Sequence, residues 1–74
     1  LGIKVYPNPT TGLVHVDGDF DRAVLLDLMG NQLEQFQPWD METVINLRDR
    51  NAGVYLLKIN KGLQQKVYKI ALRK

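Results

Sequence analysis

The sequence predicts an all-β fold, an antiparallel β-sandwich of about seven strands. Three observations predict it. Apolar residues alternate with polar ones or run in short blocks, glycine, proline, asparagine and aspartate punctuate the blocks, and no segment keeps a helical period for three turns. The strands expected are residues 3–6, 13–16, 22–29, 32–37, 43–47, 54–60 and 64–72.

The first strand stops at Pro7. Pro7 and Pro9 each fix φ, remove an amide donor and push the preceding residue away from helix. Asn8 can bond its own downstream backbone and Gly12 admits positive φ, so residues 7–12 read as a tight, stiff loop delivering the second strand. There Val14 and Val16 face inward, with Leu13 and His15 outward. In the third strand Val24, Leu26 and Leu28 share one face, while Ala23 and Leu25 make the other apolar too, which suits a central strand. Gly30-Asn31 predicts a two-residue hairpin turn pairing strands three and four. Ile45 and Leu47 face inward from the fifth. Tyr55, Leu57 and Ile59 share one side of the sixth strand, and Tyr68, Ile70 and Leu72 one side of the seventh. Asn60-Lys61-Gly62 offers a three-residue loop joining these two as a C-terminal hairpin. Around the inward set of the last strand lie Lys66, Val67, Lys69, Ala71 and Arg73, a mostly basic outer face that discourages unwanted edge pairing.

Composition sets the class. Seventy-four residues make one domain (1–74) with a small core, and 45% hydrophobic with 24% charged residues is the balance of a folded chain. Cysteine is absent, so neither a disulfide framework nor a thiolate metal site supplements the core. No run approaches the ~18 apolar residues of a membrane span. Leu1 opens in strand-like sequence without the basic and apolar segments of a signal peptide, as expected of one piece of a longer precursor. Five of the ten basic residues lie after residue 60, but a net charge of +2 is too slight to argue for nucleic acid.

Chemistry is sparse. Without serine or cysteine there is no serine or cysteine triad, and the sole histidine, His15, alternates with Val14 and Val16 as an outward strand residue. Thr10 and Thr11 read as ordinary loop residues. Asp27 with Glu34, or Asp40 with Glu42, could be imagined as an acid and base, but nothing places either pair in a cleft. The expectation is a chain that is not an enzyme and takes no cofactor. Asp17, Asp19 and Asp21 in DGDFD have the every-second spacing of calcium loops, without the bidentate glutamate or the correctly placed glycine. An acidic turn is the plainer reading. A small carbohydrate- or protein-binding module is the alternative function. Its candidate platform would draw on Phe36 and Trp39, with Tyr6 and Tyr68, although Pro38-Trp39 reads better as a loop anchor covering one end of the sandwich.

Four blocks, VYPNPTTGLVHV, LLDLMGN, INLRDRNAGVYLLKI and KVYKIALRK, occur in the order and spacing of a known family. The chain resembles the type A C-terminal sorting domains of the type IX secretion system, found in Bacteroidota. The matching residues are Pro7, Asn8, Pro9 and Gly12, then Asp27 and Gly30, then Leu47, Gly53 and Tyr55, with Lys69 and Lys74 in the last block. Residues 17–21 and 34–42 match no block. The resemblance implies an immunoglobulin-like sandwich at the end of an exported cargo protein. It implies recognition at the outer membrane by the translocon and shuttle components, passage from the periplasm to the cell surface, and removal by a sortase-like surface protease that joins the cargo to lipopolysaccharide. A partner could add a strand to an open sheet edge. The expectation is therefore that the machinery reads the last strand, with Lys69, Arg73 and Lys74 supplying charge and the backbone supplying register.

Overall fold

A computed structural model describes residues 2–74, and Leu1, with its reading as an opening without a leader, lies outside them. The described residues form seven strands and no helix: β1 (Lys4–Tyr6), β2 (Leu13–Asp17), β3 (Arg22–Leu26), β4 (Gln32–Phe36), β5 (Glu42–Asn46), β6 (Gly53–Lys61) and β7 (Gln64–Leu72). They pair antiparallel in two sheets ordered β1-β2-β5 and β4-β3-β6-β7. This is an immunoglobulin-like sandwich in which the fourth strand joins the second sheet rather than extending the first. β3 thus lies between β4 and β6, the central place its two apolar faces require, and β7 is an edge strand.

The period-2 pattern decides which side chains meet. Val14, Val16, Ile45 and Leu47 from the first sheet close on Ala23, Leu25, Leu57, Ile59, Ile70 and Leu72 from the second, with Tyr55, Tyr68, Leu33 and Phe36 packed at the margin. Phe20 joins this core from the β2–β3 connection. The polar run DGDFD hides that role in the sequence, because an isolated aromatic between aspartates has no period to declare it.

Two turns differ from expectation. β3 ends at Leu26 instead of residue 29, leaving Leu28 62% and Met29 88% exposed. Asp27 is the cause: its carboxylate accepts the amides of Met29 and Asn31 (both 2.9 Å) and the Asn31 side chain, while the Asp27 amide donates to Asn31 O. This side-chain capping replaces ladder pairing and makes a five-residue connection where two residues were expected. At the C-terminal hairpin the ladder runs to Lys61↔Gln64, so the turn is Gly62-Leu63, one residue shorter than expected. Gly62 takes φ +57° at the first turn position, where a tight hairpin needs a residue without Cβ.

Candidate functional site

Antiparallel alternation sends the β1–β2, β3–β4 and β5–β6 connections to the end of the sandwich where β7 finishes. The β2–β3, β4–β5 and β6–β7 connections go to the other end. Contacts across the sheets fix this grouping. Thr10 N donates to Ala71 O at 2.8 Å and Lys74 Nζ to Arg48 O at 2.6 Å at the first end. Lys61 meets Asp19, and Gly62 N donates to Asp21, at the second. Residues 7–12, Asp27, Gly30, Leu47, Gly53, Tyr55 and Lys74 therefore gather at one end, with Lys69 on the strand approaching it. The unmatched connections, residues 17–21 and 37–41, lie at the other.

Residues 7–12, with cis peptide bonds before both Pro7 and Pro9, run along the outer edge of β7. Asn8 Nδ2 donates to Lys69 O at 2.5 Å, and Asn8 Oδ1 accepts from Ala71 N at 3.0 Å. One side-chain amide thus imitates a neighbouring strand's peptide group, which only a residue carrying both donor and acceptor can do. Thr10 continues the pairing by a parallel bridge to Leu72, its amide donating to Ala71 O and its carbonyl accepting from Arg73 N, both at 2.8 Å. The same residue is 2% exposed, and its hydroxyl donates to Leu13 O and accepts from Gly12 N. Thr10 is therefore a structural anchor, where the sequence reads an ordinary loop residue. Nothing local signals these links; the clue is the chemistry of Asn8, a peptide-like amide between two residues that cannot donate.

Four more of the matched residues also hold the fold. Leu47 is core. Tyr55, near the start of β6, donates its hydroxyl back to Asn51 O at 2.5 Å, the tyrosine corner of immunoglobulin-like sandwiches. Gly12 sits where a Cβ would lie 2.7 Å from Arg48 Cγ. Asp27 is held below its ordinary carboxylate value, first by the Asn31 side chain and then by the surrounding backbone amides. Lys69 and Arg73 are exposed and face no carboxylate among the described residues, whereas the Lys74 ammonium is spent on Arg48 O.

The three aspartates of DGDFD turn to separate partners. Asp17 accepts the Tyr6 hydroxyl at 2.7 Å, which raises the Tyr6 pKa; Asp19 pairs with Lys61, and Asp21 caps the Gly62 amide. No group of three His, Cys, Asp or Glu side chains converges on a common point among the described residues. His15 is not simply outward: its ring stacks on Tyr6 with centroids 5.2 Å apart, and Nδ1 lies 3.4 Å from Glu42. Trp39 is 78% exposed, so it anchors nothing, contrary to the sequence reading. Proline before it and Thr43 Oγ1 behind its amide shape the loop without giving the indole a pocket. Phe36, by contrast, packs on the core, and Tyr68 does the same with its hydroxyl unpaired and its pKa raised by burial.

A family model described as a secretion system C-terminal sorting domain matches residues 4–73. No curated protein and no solved structure matches the chain significantly.

Proposed function

The chain belongs to the secretion system C-terminal sorting domains, the signals of type IX secretion, and we propose that it takes its cargo through the outer membrane by presenting β7 to the machinery. Membership makes it a partner of that machinery and directs export toward the cell surface or the medium. In this reading the domain crosses the periplasm of a Gram-negative Bacteroidota cell. The outer-membrane translocon and its shuttle components recognise it there, and a sortase-like surface protease then removes it and links the cargo to lipopolysaccharide. The domain performs no catalysis. Lys69 and Arg73 supply the charge that is read, and Lys74, whose ammonium also bonds Arg48 O, adds its charge beside them. The observation that carries the reading is the family match over residues 4–73. It is supported by the gathering of the matched residues at the end where β7 finishes.

The test is transplantation. Fused to the C-terminus of an inert periplasmic reporter in a host with the secretion system, the chain should bring the reporter to the surface. A carbohydrate- or protein-binding module would leave it in the periplasm, and that outcome would overturn the reading. Removing residues 71–74 should block export, but it also takes Leu72 from the core and the partners of Thr10. Lys69→Glu with Arg73→Glu spares both and should retain the reporter in the periplasm; export at the unmodified level would remove these cations from the mechanism.

A further inference from the structure

We propose that the open half of the β7 edge, residues 65–69, is a docking edge for an extended partner strand bearing carboxylate side chains; this rests on the reading that the machinery recognises β7. Backbone geometry defines the edge. Lys69 O, Ala71 N, Ala71 O and Arg73 N all point away from β6, where residues 7–12 take them. The β6–β7 register is unbroken from Gly53↔Leu72 to Lys61↔Gln64. By alternation, the amides and carbonyls of Gln65 and Val67 and the amide of Lys69 point the same way. No group of the described residues pairs with them. A partner strand can extend along this edge until it reaches Asn8, so the loop both closes half of the edge and fixes where an incoming strand stops.

Charge chooses the partner. After Asp49 the sequence holds seven Lys and Arg and no carboxylate, while residues 1–49 hold three cations and all eight acids. Arg50 is taken by Glu34, Lys61 by Asp19 and Lys74 by Arg48 O. Lys58, Lys66, Lys69 and Arg73 keep no carboxylate partner among the described residues. Lys66 and Lys69 project to opposite faces of β7, so a strand beside it meets one cation on each face. Between them Val67 is half exposed and Tyr68 lies under the Lys66 ammonium, 5.2 Å from its ring centroid. A second copy pairing antiparallel through its own residues 65–69 would place Lys69 opposite Gln65 and Lys66 opposite Tyr68, leaving four cations along the joined edge with no carboxylate between them, which disfavours that occupant.

The full 74-residue chain, isotope-labelled for NMR, is titrated with a synthetic peptide repeating Glu-Glu-Val-Val, which presents carboxylates on both faces of a strand, and with the counterpart carrying lysine for glutamate. The glutamate peptide should shift the amides of Gln65, Val67 and Lys69 and slow their exchange, and should bind about tenfold or more tightly than the lysine peptide. Val67→Pro removes an amide that faces away from β6 and should weaken binding by about tenfold. Lys66→Glu leaves the backbone untouched and should weaken it as well, keeping the test readable if the proline variant unfolds. Shifts on β4 or β5, equal binding of both peptides, or affinity unmoved by either variant would overturn the docking edge. Sensitivity to Lys66→Glu alone, with folded Val67→Pro binding normally, would overturn it in favour of an anionic surface. A peptide-free dimer protecting the same amides would overturn it in favour of a second copy. If folded Val67→Pro supports reporter export while Lys69→Glu with Arg73→Glu does not, the docking edge fails and the reading of β7 stands.

Discussion

Replacing Asn8 by alanine tests the link between the first loop and the last strand. The substitution removes two hydrogen bonds, from Asn8 Nδ2 to Lys69 O and from Ala71 N to Asn8 Oδ1. Both lie at an exposed position, so water can replace the lost partners and neither backbone group is stranded dry. At a net ~0.5–1.5 kcal/mol each, the expected loss is about 1–3 kcal/mol. In a domain of this size ~1 kcal/mol moves Tm by roughly 4–8 °C, so the midpoint should fall by about 8 °C. Thermal unfolding followed by circular dichroism measures the total. Amide exchange locates it: Ala71 loses its acceptor and should exchange faster, Arg73 should follow if Thr10 loosens with the loop, and Val67, already without a partner, should not change. A fall of under about 2 °C with Ala71 still protected would refute the claim that Asn8 stands in for a strand, because even the low end of the range predicts more.

Two further outcomes follow from the same contacts. Asp27 has a lowered pKa in the folded state, so its ionised form adds stability above the unfolded carboxylate value, and the gain is lost as pH falls through the folded value. Asp27→Asn should therefore be less stable than the parent at neutral pH in urea unfolding, with the gap narrowing as pH drops below about 4; a gap constant with pH would show that ionisation contributes nothing. Gly18 takes φ +128°, and a Cβ there would lie 2.7 Å from Ile3 Cδ1 and 2.9 Å from Gly2 O. Gly18→Ala should cost about 1–3 kcal/mol by urea unfolding, and a loss under about 0.5 kcal/mol would mean the β1 approach relaxes freely.

Alternation made the strands and most of the core legible. Val14, Val16, Ile45, Leu57, Ile59 and Ile70 face inward because a period of two with one apolar face leaves no other register. The central place of β3 was readable from its doubly apolar pattern. Features that depend on one side chain capturing the backbone were not readable. Asp27 shortens β3 by bonding two amides that the turn brings near, and Trp39 is 78% exposed, which its place beside Pro38 does not reveal. The pairing of Asn8 and Thr10 with β7 joins residues about sixty positions apart, so no local pattern contains it. The gathering of the matched residues of the four blocks at one end is likewise a property of topology, invisible until strand directions are known.

Matched residues divide by whether the fold already occupies them. Leu47 fills the core, Tyr55 ties the corner, Asp27 builds a turn, Asn8 closes an edge, and Lys74 is bonded to a carbonyl. Substituting any of these disturbs the domain itself, so lost export in such variants reports lost structure before lost recognition. Lys69 and Arg73 differ, since the fold uses only their backbone groups and leaves the cations in water. Exposed charges contribute little to stability but strongly govern encounter with a partner of opposite sign. Of the matched positions and their neighbours, these two side chains are therefore the ones whose chemistry the fold itself does not require, and a reader of β7 would meet them first.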